Sequence, residues 1–181
     1  MPAADVSEGA TEPPSRVDFP AIYTAEFGYV WSTLRRLGVD GRDLRDLCHD
    51  VFVIVFSNLE SYDIRRPIRP WLFGIAFRVA SDYKRSAHRR REIPVTRDAV
   101  TSAPAADELM LRNERQRLVL RALDKLDLDK RAVFVMHDID GHVMPDIAAT
   151  LGIPVNTAYS RLRLARTDFA VAVEQLEGGE R

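Results

Sequence analysis

The sequence predicts an all-α protein: two small helical domains joined by a flexible linker, the second containing a helix-turn-helix. Three observations carry this. Apolar residues recur at spacings of three and four along most of the 181-residue chain, the period of a helix with one buried face. No stretch sustains the period-two alternation of a half-buried strand. The periodicity collapses over residues 92–106 into Pro94, Thr96, Thr101, Ser102, Pro104 and small side chains, a linker composition. The blocks on either side, 17–91 and 107–176, are each of common domain size, with tails at 1–16 and 177–181.

The elements follow in order. Residues 1–16 are rich in Ala, Pro, Glu and Ser and have no period, which predicts a disordered tail. Phe19, Ile22, Tyr23, Phe27, Val30, Trp31, Leu34 and Leu37 form the stripe of a first helix, and Gly38 stands where a helix end calls for a left-handed residue. After a restart at Asp40 or Gly41, a second stripe runs through Leu44, Leu47, Cys48, Val51, Ile54 and Val55 and fades by Leu59. Ser61 to Pro70 reads as a loop, because Pro67 and Pro70 lack the N–H that a helix interior uses. A third helix puts Leu72, Ile75, Ala76, Val79, Ala80 and Tyr83 on one face and runs into Lys84, Arg85, Arg89, Arg90 and Arg91. Beyond the linker, helical pattern resumes near Asp107. Leu111, Leu118, Val119, Ala122, Leu123 and Leu126 line one helix, and Ala132, Val133, Val135, Met136 and Ile139 the next, which Gly141 breaks. A short helix, Met144 to Leu151, meets Gly152, and a last one starts near Pro154 or Val155 and reaches Leu176.

The net charge of −1, from 26 basic and 27 acidic side chains, would alone argue against a polyanionic partner. It is a cancellation between blocks. Residues 1–60 carry 5 basic and 10 acidic side chains (−5), residues 61–97 carry 10 and 3 (+7), and residues 155–169 carry 3 and 1 (+2). Segregation of this kind points to polyanion contact by part of the chain. The single cysteine, Cys48, excludes an internal disulfide and suits a reducing compartment. There is no apolar run of about eighteen residues to span a membrane, and the acidic N-terminus has no apolar segment of a secretory signal. The expected location is the cytoplasm.

Asp146 to Arg163 has the pattern of a helix-turn-helix. Ala148 is small where two helices cross, Gly152 tolerates the turn, and Ile147, Leu151, Ile153 and Leu162 supply the apolar wedge. Pro154 suits a first helical turn. The following helix offers Asn156, Thr157, Tyr159, Ser160, Arg161, Arg163 and Arg166, the residue types that contact phosphates and base edges. In the first domain, Asp43, Asp46 and Asp50 repeat at three and four, off the apolar stripe. Their spacing fits either a solvated face or an acidic surface for a basic protein. Tyr62, Arg65 and Arg66 lie in the Pro-bounded loop beside the basic end of the third helix. Aromatics among cations suit unstacked bases, at ~1–3 kcal/mol per base. Trp71, Phe73 and Phe77 read as core, and Tyr62 as the base contact.

Together these residues resemble a bacterial RNA polymerase sigma factor of the extracytoplasmic-function type, over Phe19 to Leu176. Asp46-Leu47-Cys48-His49-Asp50-Val51-Phe52 is similar to the family's D-L-x-Q/H-D/E-x-F helix. That implies that Asp43, Asp46 and Asp50 face core RNA polymerase, whose clamp coiled coil and flap are the family's docking points. Pro70-Trp71-Leu72-Phe73-Gly74-Ile75-Ala76 resembles the segment that packs the promoter-melting domain. In that register Tyr62, Arg65, Arg66, Arg78, Lys84, Arg85 and Arg89 face the minus-ten element, with Tyr62 in the loop that captures a flipped base. Ile147 to Arg166 resembles the family's reader of the minus-thirty-five element, which implies that role for Asn156, Thr157, Tyr159, Ser160, Arg161, Arg163 and Arg166. The sequence departs from the family pattern at Arg78, Asp146, Asn156, Ala158, Tyr159 and Leu164, which bears on promoter preference.

The implied activity is that of a promoter-specificity subunit with no bond chemistry, catalytic residue, metal, cofactor or small-molecule substrate of its own. Its partners would be core RNA polymerase, promoter DNA and an anti-sigma factor. One rival is a stand-alone helix-turn-helix regulator, which would leave residues 62–91 idle and which usually needs a dimerisation element. The other is a metal-dependent enzyme built on His49-Asp50 and His137-Asp138, which would need more converging ligands than His88 and His142 supply.

Overall fold

The structure is a computed structural model that describes residues 18–92 and 114–178, with residues 87–92 as backbone only. All regular structure among the described residues is helical. The first domain comprises α1 (Phe19–Arg36), α2 (Leu44–Asn58) and α3 (Ile68–Glu92), with a 3-10 turn at Leu59–Ser61. The second comprises α4 (Glu114–Leu123), α5 (Leu128–Phe134), α6 (Met144–Leu151) and α7 (Val155–Gly178).

Local chemistry sets the helix ends. Pro20 sits in the first turn of α1, where its missing N–H leaves no gap. At the other end Gly38 takes φ 84°. Its N–H bonds to the Arg35 carbonyl and that of Val39 to the Leu34 carbonyl, which satisfies the last carbonyls of the helix. Gly152 does the same for α6 at φ 66°. Asp127 caps α5 by accepting from the Lys130 N–H at 2.9 Å.

In the first domain α1, α2 and α3 pack against one another around Val30, Leu34, Leu44, Cys48, Val51, Val55, Leu72 and Phe73, all fully buried. The α1–α2 seam adds a ring ladder in which Phe27 and Phe52 stack at 6.2 Å and Phe19 meets Phe56 edge-on at 5.1 Å. In the second domain α7 lies across α4, α5 and α6, burying Ala158, Leu162 and Ala165 against Ile147, Ala148, Val133 and Met136. The buried cluster continues between the domains, where α3 packs on α6 and α1 approaches α4.

Three expectations need correction. Pro70 stands inside α3, not in the loop before it. The third residue of a helix has no intrahelical acceptor for its N–H, so proline costs little there. Ile54 is 38% exposed and does not join the core stripe of α2. The predicted fifth helix does not run straight to Ile139, because Val135–Ile139 form a π-helical turn in which the Asp140 N–H bonds to the Val135 carbonyl at 2.9 Å. The resumption of helix near Asp107, the linker and both tails lie outside the described residues.

Candidate nucleic-acid interface

On α2, Asp46 and Asp50 are exposed, while Asp43 turns inward and accepts from the Tyr83 hydroxyl at 2.8 Å. Burial and the facing Asp43 carboxylate push the Tyr83 phenol up to about 12. Asp43 therefore ties α2 to α3, and the open acidic face is that of Asp46 and Asp50. Beside Asp50 a groove of about 670 Å³ runs between α2 and α3, lined by Leu47, Val53, Ile54, Val79 and Asp82. Val53 and Phe56 are 51% and 65% exposed. Sequence reading missed this apolar floor and Asp82. The signal was there: Val51 to Phe56 is apolar without interruption, which is more than one helix face can bury.

The loop before α3 is more ordered than its composition suggests. The Tyr62 ring stacks on Trp71 at 4.8 Å and 29°, and its hydroxyl donates to the Arg66 carbonyl. Burial and the nearby Asp63 charge raise its phenol. Asp63 accepts from Arg65 Nε at 2.9 Å and lies 3.9 Å from Arg66 Nε, so the two exposed arginines share one carboxylate. The Arg65 guanidinium holds the Asp63 carboxyl below the usual range. Arg69, the second residue of α3, bonds to Glu26 at 3.0 Å and lies 5.0 Å over the Tyr29 ring. Arg85 pairs with Asp82 one turn before it.

Two further candidates lie elsewhere. Arg78 donates from Nε to the Gly74 carbonyl at 3.1 Å. Lys84 is half-buried against Arg131 of the second domain, and burial with that neighbouring cation lowers its pKa. The Arg89 side chain lies outside the described residues.

On α7, Asn156, Tyr159, Ser160 and Arg163 are exposed in one direction, whereas Thr157 is half-buried. Their spacing of three and four keeps them on one face of the helix. The remaining arginines turn back into their own domain. Arg161 bonds to Asp129 at 2.6 Å. Arg166 grips Asp138 with Nε at 2.8 Å and Nη2 at 2.6 Å, holding that carboxyl below its usual range. His137 Nδ1 is 2.7 Å from the same carboxylate, so the second His-Asp dipeptide belongs to this ion-pair network.

The chain thus carries a helix-turn-helix with one open polar face behind a domain with a basic loop and an acidic groove. The Sigma-70 region 2 family model matches residues 22–90, and the Sigma-70, region 4 model matches residues 116–169. The chain belongs to the sigma-70 family. It is 28% identical over 158 residues to the ECF RNA polymerase sigma factor SigL of Mycobacterium tuberculosis, a match covering 86% of this chain and 89% of SigL. It is 26% identical over 149 residues to the RNA polymerase sigma factor CnrH of Cupriavidus metallidurans, covering 77% and 78%. The structure of CnrH in complex with the cytosolic domain of CnrY superposes with a TM-score of 0.62, covering 87% of this chain and 88% of that one. The sigma factor RpoE of Bartonella quintana, solved with the anti-sigma factor NepR, gives 0.68 over 87% and 97%, at 21% identity, and so shares the fold. As a sigma factor of the extracytoplasmic-function type, the chain is a subunit of RNA polymerase that initiates transcription at promoters. No described helix is long and apolar enough to cross a membrane.

Proposed function

We propose the following division of labour within this sigma subunit. The first domain, residues 17–91, docks on core polymerase through Asp46, Asp50 and the groove floored by Val53 and Ile54, with Asp43 holding α2 to α3. A helix with basic and apolar residues, such as one arm of the clamp coiled coil, satisfies both halves of this surface. The loop at Tyr62, Arg65 and Arg66, continued by Arg78, Lys84, Arg85 and Arg89, meets the minus-ten element. The Tyr62–Trp71 stack supports a rigid aromatic platform whose outer face takes an unstacked base, and the arginines meet phosphates.

The second domain, residues 107–176, reads the minus-thirty-five element in the major groove through Asn156, Thr157, Tyr159, Ser160 and Arg163. Arg161 and Arg166 fix the angle of α7. The linker over 92–106 lets the two domains reach separate DNA elements. An anti-sigma factor is a further partner, as it is for the RpoE of the superposed complex, and the work is done in the cytoplasm.

The observation that carries this map is the pairing of an exposed acidic face with an apolar groove on the helix that bears the D-L-x-H-D pattern. Asp50→Arg places a cation where a basic partner must sit. It should lower affinity for core polymerase by at least tenfold, with the circular dichroism and melting temperature of the free chain unchanged. Wild-type affinity would overturn the assignment.

A further inference from the structure

The outward side of α7 narrows to a line of three residues. Successive residues of a helix are rotated by about 100°, at 3.6 to the turn. The buried Ala158, Leu162, Ala165 and Ala172 mark the inner side of α7. Asn156, Ser160 and Arg163 lie close to the opposite side, and all three are exposed. Thr157 and Tyr159 stand to either side of that line.

The three central side chains are also uncommitted: none makes a hydrogen bond or ion pair with another described residue. Arg161 and Arg166, on the flanks of α7, are bonded to Asp129 and Asp138. A side chain that already holds a carboxylate must release it before it meets DNA, and the central three have nothing to release.

Asn156, Ser160 and Arg163 are separated by four and three residues, so each stands about one turn, or 5.4 Å, beyond the last. A helix that follows the oblique major groove passes about one base pair per turn, and side chains three or four apart meet successive pairs. The line therefore covers three successive base pairs. The chemistry of its two ends is definite. Asn presents a donor and an acceptor that match adenine N7 and N6, and Arg presents two donors that match guanine O6 and N7. Ser bonds to either kind of pair and discriminates little. Between Val155 and Thr167 there is no Asp or Glu to accept from a cytosine amino group.

We infer, resting on the assignment of α7 to the minus-thirty-five element, the code that it reads: an adenine and a guanine with one base pair between them. Asn156 specifies the adenine and Arg163 the guanine, while Ser160 reads the middle pair loosely. Each end contact favours its base by about five- to 150-fold, and the two combine because they touch different pairs. Asn156 is one of the positions at which the chain departs from the family pattern, so the adenine contact belongs to this chain and not to the family at large.

The code is tested on the assembled polymerase. A promoter fragment from a mapped start would have its upstream element randomised, and the duplexes bound by core polymerase with the full chain would be sequenced. The wild-type chain should enrich an adenine and a guanine separated by one pair. Asn156→Arg should convert the adenine preference into one for guanine and leave the other position alone. Arg163→Asn should convert the guanine preference into one for adenine. Each exchange should change relative binding at its own position at least fivefold, with the melting temperature of the free chain unchanged, since both side chains are exposed. A different spacing, or a preference that survives its exchange, would overturn the code. So would an Arg163→Ala loss spread evenly over all sequences, the mark of a phosphate contact. The underlying assignment fails in its own way: the wild-type chain would then enrich no upstream element at all, whereas an element enriched without the exchanges counts against the code alone.

Discussion

The cations of the two domains are handled differently. In the second domain Arg161 and Arg166 are held by carboxylates of the same domain, and Arg163 points outward and pairs with no carboxylate among the described residues. In the first, Arg65 and Arg66 share Asp63 within one short loop, Arg78 is exposed and bonds to the Gly74 carbonyl of its own helix, and Lys84 is half-buried beside Arg131 of the second domain. The difference teaches that a count of arginines on a DNA-facing segment does not measure DNA contact. On α7 the arginine that grips Asp138 is tied into its own domain, whereas Arg163, three residues earlier, is exposed and is the one we propose as a reader.

The sharpest way to break this comparison is to remove the two kinds of arginine separately. Arg163→Ala should lower affinity for a minus-thirty-five duplex by about 1–3 kcal/mol, roughly five- to 150-fold, if it meets a base edge, and leave the melting temperature in place. Arg166→Ala should do the reverse. It leaves the half-buried Asp138 without its two-pronged partner and should cost about 1 kcal/mol of stability. For a domain of this size that is a melting-temperature drop of about 4–8 °C, with a smaller loss of DNA affinity. Equal behaviour of the two variants would collapse the distinction.

Arg65→Ala sharpens the first-domain half. Its ion pair with Asp63 is exposed and contributes little to stability, about 0–1 kcal/mol, so the melting temperature should hold. Binding of the assembled polymerase to promoter DNA should weaken evenly across sequences, and the salt slope should fall by about one phosphate contact.

The smallest effect concerns Tyr83. Its folded-state value, about 12, lies above the ordinary 10.0 of a free phenol. The unfolded chain therefore loses this proton first as pH rises. The stabilisation is fully present below pH 10 and is lost as pH climbs towards 12. Tyr83→Phe should flatten that alkaline decline in urea-unfolding free energy, and an unchanged decline would show that the Asp43 tether plays no part.

Much of this fold is legible in the sequence because its determinants are local. The apolar stripes of α1 and α3 follow from period alone, and Gly38 and Gly152 stand where left-handed backbone is required. The open face of α7 is legible too, since Asn156, Tyr159, Ser160 and Arg163 follow a recognisable turn. What the sequence hides is partnership at a distance. Asp129 and Asp138 lie 32 and 28 residues from the arginines they hold, and Asp140 lies 104 from Arg36 and 111 from Tyr29. No local pattern records those separations. Tyr62 reads as a free loop aromatic because its stacking partner Trp71 lies across two prolines, in a helix that begins earlier than Pro70 suggests. The groove beside Asp50 is hidden for another reason: an over-wide apolar face on α2 reads as more core until a third helix is seen to cover only part of it.

The claim that this chain directs polymerase to promoters through two separate DNA surfaces is tested most directly by mapping transcript 5′ ends. Core polymerase would be combined with the full chain on fragmented genomic DNA. The account predicts that starts gather downstream of one recurring pair of sequence elements, and that Arg163→Ala scatters them while the variant still co-purifies with core. Starts no different from those of core polymerase alone would contradict it.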